Sequence, residues 1–481
     1  MITITRHQGR RLRGVFRRHV LGITHRGSIP PLVLHAEGTQ LRAQYRYTAL
    51  AIESTLSLAS ASEETLVLPL DALAEFEGRD DSSVVLEALA FDRIVVRWSD
   101  HGVPQTREYD VPALDSLKPF PDSPSAWTTL PSGLISTLVE ASETASEDST
   151  RYALNCLQLR GGTGEVAATD GQQLLIQGGF TFPWSDDLLV RRSLVFANRA
   201  LPRDQPVQIG RTASHVVLRD GPWSLFQEIQ TGVRFPALGH IIPDPAATAT
   251  RLSLDLEDAR FLSEALTRLP GSEALSAPTT LELNGKVAIR ARETDRAQPT
   301  ELVLSRSKYT GTPVRLNTNR EFLNRAIRLG FSAIEIVDVE SPVVCRDRDL
   351  VYCWQPLSKE SAIEPTDDVT RITSTPTITP TSLPEDVTPG TRPIVSQSSE
   401  TPRNDDQSHE KIRVTPAPGS QDTLGLPALI QEAESLHQTL ADARTRAGRL
   451  VVALRRYRRR ERLVSTTLAS LRALNLKEVA G

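Results

Sequence analysis

The chain is 481 residues long, room for about three domains. Its 55 Lys and Arg against 59 Asp and Glu give a formal charge of −4, which excludes a polycation overall. Cys156, Cys345 and Cys353 have no His partner at zinc-ligand spacing, the N-terminus lacks a signal-like apolar run, and no stretch is long enough to cross a membrane, so a reduced cytoplasmic protein without a metal or cofactor is expected.

Charge is nevertheless concentrated locally. Residues 1–26 hold seven Arg and no acid, and residues 444–462 hold nine Arg against one Glu. A strand over 2–5 leads into a helix expected at His7–Leu21. Leu12, Val15, Phe16 and Val20 form its apolar face, and Arg10, Arg11, Arg13, Arg17 and Arg18 cover the rest. Short strands then follow at Leu32–His35, Gln40–Tyr47, Thr55–Leu58, Thr65–Leu68, Val84–Leu86 and Arg93–Trp98, with a helical stretch at Asp71–Phe76.

A second unit opens with a helix capped by Ser132, its apolar face being Leu134, Ile135, Leu138 and Val139. Strands fill 154–190, a helix is expected at Ser193–Leu201, and strands fill 206–228. In the third unit Asp255 or Ser253 caps a helix ending at Leu269-Pro270. Strands, a helix at Thr318–Leu329 and further strands to Trp354 complete it. Strand-to-helix junctions near Pro69, Arg191 and Asn317 are separated by 122 and 126 residues, a threefold internal layout. The expected units are 1–122, 123–247 and 248–357.

From Ser358 to about Gly425, Pro, Thr, Ser, Asp and Glu dominate, and no aromatic occurs from Gln355 through Arg456. Such a stretch buries too little apolar area to offset the entropy of ordering, so 358–425 reads as a disordered linker. In 426–481, Leu429, Leu436, Ala443, Leu450 and Tyr457, with Ala433, Leu440, Ala447 and Leu454, recur at heptad spacing. A basic coiled-coil or helical tail is expected there.

No nucleophile elbow, phosphate loop, metalloprotease helix or paired-cysteine motif is present, so no catalytic residue is assigned and no enzyme is expected. Gly161-Gly162-Thr163-Gly164 lacks the Lys and helix of a phosphate cradle and reads as a hairpin turn, its glycines supplying positive φ. Asp170 before Gly171 reads as a turn former, not a catalytic acid.

One group of motifs points further. Arg151-Tyr152-Ala153-Leu154-Asn155, a hairpin, and Thr169-Asp170-Gly171-Gln172-Gln173-Leu174 stand in order. Gly232-Val233-Arg234-Phe235-Pro236 with Ile241-Ile242-Pro243, Tyr309-Thr310-Gly311, and Tyr352-Cys353-Trp354-Gln355-Pro356-Leu357 follow. Together they resemble the middle and last domains of the bacterial DNA polymerase III beta sliding clamp family. The resemblance implies an α+β chain of three tandem clamp domains, with helices lining an inner face and antiparallel sheets outside. It implies a non-enzymatic processivity factor that closes head to tail with itself, as a dimer, around double-stranded DNA.

Carried over residue by residue, the DNA-contacting candidates are Arg10, Arg11, Arg13, Arg17, Arg18, Arg199, Arg203, Arg260, Arg268, Arg320, Arg325 and Arg328. A groove for peptides of DNA polymerase and clamp loader would use Arg151, Leu154, Thr169, Gly171, Gln172, Gln173, Leu174, Pro243, Pro342, Cys353, Gln355, Pro356 and Leu357. Two features depart from the family: Gln172-Gln173 stands where His-Arg is frequent, and the chain runs on past its last strand. The helix after Ser132 carries Glu140 and Glu143 and no base, which would repel phosphate. The alternative is a clamp-like scaffold that closes no ring and acts through its basic tail.

Overall fold

In the computed structural model of the protein the described residues are 1–17, 29–147, 153–199, 201, 205–272, 274, 276–293 and 298–374. Arg18, Arg151 and Arg203, the later part of the expected linker and the whole basic helical tail lie outside them.

The first repeat begins with β1 (Ile2–Thr5) and α1 (Arg6–Val15). Thr5 and Gln8 cap the helix reciprocally: the Thr5 hydroxyl accepts from the Gln8 amide at 3.1 Å, and Gln8 Oε1 accepts from the Thr5 amide at 2.8 Å. The helix ends at Phe16, short of the expected Leu21, with Leu12, Val15 and Phe16 all buried. Next come β2 (Leu32–Tyr47), β3 (Leu50–Leu68), α2 (Leu73–Phe76), β4 (Ser83–Ala90), β5 (Arg93–Asp100) and β6 (Val103–Asp110).

The four short strands expected over 32–68 are two long ones. Their pairing runs on through the polar segment around Gly38 and Ser62, with one register shift between Gly38 and Gln40. Apolar alternation reports burial, not backbone pairing, so the exposed middle of this hairpin looked like a loop.

The second repeat holds β7 (Thr128–Leu130), α3 (Leu134–Thr144), β8 (Cys156–Arg160), β9 (Glu165–Thr169), β10 (Gln173–Gln177), β11 (Asp187–Arg191), β12 (Val207–Arg211), β13 (His215–Asp220) and β14 (Trp223–Glu228). The N-cap of α3 is Gly133 at φ +105, not Ser132: the chain enters through a left-handed residue, where a side chain would be strained. The helix expected at Ser193–Leu201 is a single 3-10 turn, Leu194–Ala197, capped by the Ser193 hydroxyl. In the β8–β9 hairpin only Gly164 has positive φ, +69. Gly161 is needed for close approach, since a Cβ there would sit 2.5 Å from the Trp184 carbonyl oxygen.

The third repeat holds β15 (Thr250–Ser253), α4 (Leu256–Leu266), β16 (Pro278–Leu283), β17 (Val287–Ala291), β18 (Thr300–Leu304), β19 (Lys308–Gly311), β20 (Val314–Asn319), α5 (Arg320–Arg328), β21 (Ala333–Ile336), β22 (Val343–Asp347) and β23 (Leu350–Trp354). Asp255 caps α4, accepting from the Glu257 amide at 2.9 Å, and Asn319 caps α5, accepting from the Glu321 amide at 2.8 Å. The segment after Leu357, expected to be disordered from Ser358, instead packs on this repeat and ends in β24 (Thr370–Thr373).

The sheets show a threefold rule. Each repeat contains one four-strand antiparallel order: β1-β4-β5-β6, β7-β12-β13-β14 and β15-β21-β22-β23. The last strand of one repeat pairs with the preceding repeat's other sheet, β14 with β3 and β23 with β10, so two sheets run unbroken across repeat boundaries. The helices also touch in series. α1 packs on α2, Asn198 Nδ2 after the 3-10 turn donates to the Gly14 carbonyl at 3.1 Å, and that turn packs on α3. Arg325 of α5 reaches the Glu140 carboxylate of α3 at 3.1 Å, and the Ser263 hydroxyl of α4 donates to Asn324 of α5 at 2.9 Å.

Inside the third repeat lies a buried ion cluster. Arg290 donates to Glu301 at 2.8 Å and to Glu282 at 2.9 Å, all three side chains being no more than 5 % exposed. Lys286 and Arg371 also bind Glu301, and Arg315 binds Glu282. Burial pushes the Glu301 carboxyl up, but the hydrogen bonds from Lys286, Arg371 and Arg290 outweigh it and hold the group at about 2. With its folded pKa depressed, Glu301 stabilises the fold fully above about pH 4.5, and that share is lost as pH falls toward 2. Arg290→Met is therefore expected to cost about 3 kcal/mol at pH 7, by removing the one donor that the two buried carboxylates share. Denaturant melts at pH 7, 5 and 3 should show the gap to wild type narrowing at the lowest value.

Candidate nucleic-acid and peptide interface

The arginines singled out in the sequence fall into two groups. Arg10, Arg11 and Arg17 on and after α1, Arg199 after the 3-10 turn, and Arg268 after α4 are exposed and make no ion pair among the described residues. Arg260 is exposed but paired with Glu257 at 2.7 Å, and Arg328 stands 3.9 Å from Glu143. These residues all lie on or beside the connected helices.

The other group is structural. Arg13 is ion-paired with Glu77. Arg320 is only 3 % exposed, and its guanidinium donates to the carbonyls of Leu269 at 2.6 Å, Pro270 at 2.7 Å, and Ala277 and Pro278 at 3.1 Å. Its placement corrects the phosphate-contact expectation, because a guanidinium 3 % exposed, with four of its five N–H groups given to carbonyls, does not face a phosphate. Arg325, 12 % exposed, bridges Glu140 at 3.1 Å and Glu143 at 3.6 Å. The acids that looked repulsive to phosphate are thus the partners that tie α3 to α5. Helical spacing hides this, because the bridge joins residues some 185 apart in sequence.

The second candidate site lies at the β10–β23 joint. Asp170 makes the expected turn: its Oδ1 accepts from the Gln172 amide at 2.8 Å and the Gln173 amide at 2.9 Å. The Thr169 hydroxyl donates to the Gln173 carbonyl at 2.6 Å and accepts from the Gly171 amide at 3.0 Å. Leu154 stands beside Gly171, 3.8 Å from where a Cβ would lie. Across the joint Leu174 pairs with Cys353, the Tyr352 hydroxyl donates to Gln173 Oε1 at 2.7 Å, and the Gln355 backbone amide donates to the Gln172 carbonyl at 2.9 Å.

Most of the sequence-chosen groove residues therefore converge. Pro342 adjoins Val343, which pairs with Trp354, and the Pro243 carbonyl accepts from Arg346 at 2.5 Å. Leu174 and Cys353 are buried in an apolar cluster with Phe235 and Leu238, against which Ile241 and Ile242 pack. Phe235, Ile241 and Ile242 of this cover stand in the sequence only as landmark residues beside Pro243. The open space is a hollow of about 240 Å³ on the third repeat's side, between Val339-Glu340 and Gln355–Glu360. Gln355 reaches across it to the Glu340 carbonyl at 2.6 Å.

Burial pushes the Cys156 thiol up to about 11 and the Cys353 thiol up to about 12, and raises Cys345 as well, so all three behave as small apolar groups.

No protein-family model matches the chain, and no curated protein matches it. Solved structures do. The DNA polymerase III subunit beta of Pseudomonas aeruginosa superposes with a TM-score of 0.62 at 19 % identity, over 74 % of this chain and 99 % of that one. The beta chain from Streptococcus pneumoniae gives 0.61 at 15 % identity, and the beta subunit from Thermotoga maritima 0.60 at 14 %, with the same coverage. The fold is that of a sliding clamp. Three quarters of this chain suffices to span nearly the whole length of these polymerase III beta subunits.

The two groups of arginines predict opposite outcomes on substitution. Arg320→Met should lower the free energy of unfolding by about 3 kcal/mol, since several buried carbonyls lose their donor. Arg268→Ala should change it by no more than about 0.5 kcal/mol. Urea melts of the two variants check this.

Proposed function

We propose that the protein is a non-catalytic sliding platform on DNA: three repeats, 1–122, 123–247 and 248–357, close with a second copy around a duplex, and the β10–β23 groove receives partner peptides. The repeated joint is the observation that carries this reading. A rule in which each repeat accepts the last strand of the next one closes without a free end when the third repeat of one copy accepts the first repeat of another.

Such a ring needs no base recognition. Arg10, Arg11, Arg17, Arg199 and Arg268 would meet phosphates, which position a protein without reporting sequence. Their separation along the helices suits many weak, salt-sensitive contacts, which permit movement along the duplex. The groove combines an apolar floor with a few polar groups, the features that orient a short extended ligand. DNA polymerase or clamp-loader segments are the proposed ligands, and the cytoplasm the proposed compartment.

A topological assay tests the reading. Micromolar full-length protein is incubated with nicked circular plasmid, the salt is raised, and bound protein is separated by gel filtration before and after linearisation. Retention on circles that disappears on linear DNA is expected, with at least a tenfold loss for the combined substitutions Arg10→Glu, Arg11→Glu and Arg17→Glu. Equal behaviour on circular and linear DNA would rule out encirclement.

A further inference from the structure

The joints between repeats follow one pattern. In the first, Leu50–Ser54 of β3 pairs antiparallel with Trp223–Gln227 of β14. In the second, Gln173–Gln177 of β10 pairs antiparallel with Leu350–Trp354 of β23. Each acceptor strand pairs on its other side within its own repeat, and each donor is the last strand of the following repeat.

The third repeat's equivalent acceptor is β18. It pairs with β17 as β10 pairs with β9, and its sheet order β20-β16-β17-β18 matches β11-β8-β9-β10. The corresponding donor is the last strand of a first repeat, β6. Among the described residues β6 ends its sheet, with no strand on its outer edge. The pattern thus assigns the β18 edge to β6 of a second copy.

That edge is occupied. β24 pairs with β18 from Thr300↔Thr370 to Val303↔Thr373, and it does so parallel, the opposite sense to both joints. Beyond it the Ser374 amide donates to the Val303 carbonyl, and the Ser305 amide donates to the Ser374 hydroxyl, both at 2.9 Å. Arg371 donates to Glu301 at 2.8 Å, and Gln298 to Asp368 at 2.7 Å. A strand has two hydrogen-bonding edges. With β17 on one and β24 on the other, β18 has none for an incoming strand.

β24 is also weakly held. Its four residues are all exposed, Ile372 at 44 %, so it contributes little apolar burial beyond its ladder. Its Arg371 is half exposed, but the Glu301 carboxylate it binds is buried, so a strand that displaces β24 must bring a cation to replace it. β6 is eight residues long and carries Arg107, a largely exposed cation 3.4 Å from Glu75 in the same chain, which an exchange of partners would bring to Glu301.

We propose that β24 is a built-in plug on the self-association edge: it competes with β6 of a second copy, and the ring closes only in molecules whose plug has been displaced. The occupant is identified from the repeat pattern alone, although the consequence for DNA rests on the clamp reading above.

The full chain is compared with Arg371→Glu/Ile372→Pro, substitutions at exposed side chains. Sedimentation equilibrium gives the self-association constant, and amide hydrogen exchange follows residues 103–110. The variant should associate at least tenfold more tightly, with exchange over 103–110 slowing in the associated form. A synthetic peptide covering residues 366–375 should return it to the wild-type level. Equal constants in both proteins, or tighter association without protection of 103–110, would overturn the plug.

The same two proteins are then tested on nicked circles. If the variant associates through β6 but neither protein is held topologically, the plug stands and the clamp reading falls. If both are held equally and associate equally, the clamp reading stands and the plug falls.

Discussion

The organising constraint is the strand pairing that crosses each repeat boundary, β3 with β14 and β10 with β23. A backbone ladder of this kind fixes direction and register together. A slip of one residue would turn every side chain to the opposite face and expose Leu174 and Cys353 to water. The boundary is thus as firmly specified as the interior of a repeat. The candidate peptide groove is a by-product of the second ladder: the turn at Asp170 and the chain after Trp354 meet there because Gln173 and Trp354 are register partners.

The helices solve a different problem. They pack in series, and two of the contacts between repeats are polar: Asn198 on the Gly14 carbonyl, and Arg325 between Glu140 and Glu143. The arginines left without acidic partners, Arg10, Arg11, Arg17, Arg199 and Arg268, are then a residue of positive field after the structural cations have been counted out. An inventory of arginines overstates that field, since Arg13, Arg320 and Arg325 are engaged inside the protein.

The segment after Leu357 shows how an edge strand alters the meaning of its neighbours. Composition marks it as unable to form a core, and among the described residues, to Ser374, β24 is exposed on all four positions. It is ordered because an unpaired sheet edge offers hydrogen bonds to any nearby backbone, whatever its side chains. The strap reaches that edge by way of the Ile363 amide on Thr280 and the Leu357 amide on the Asn317 carbonyl, both at 2.8 Å.

Local chemistry made several features legible in the sequence. Asp255 as a helix cap, the Asp170 turn and the start of a helical segment after Pro69 all depend on residues close together in the chain, and so does each of the motifs that pointed to a clamp fold. Tertiary structure alone decided which strands are continuous, which arginines are buried, and what covers the groove. Those outcomes depend on pairings between residues tens to hundreds of positions apart, such as Arg325 with Glu140, Arg320 with Leu269, and β24 with β18. A periodic pattern records which side of an element is buried; it does not record which partner buries it.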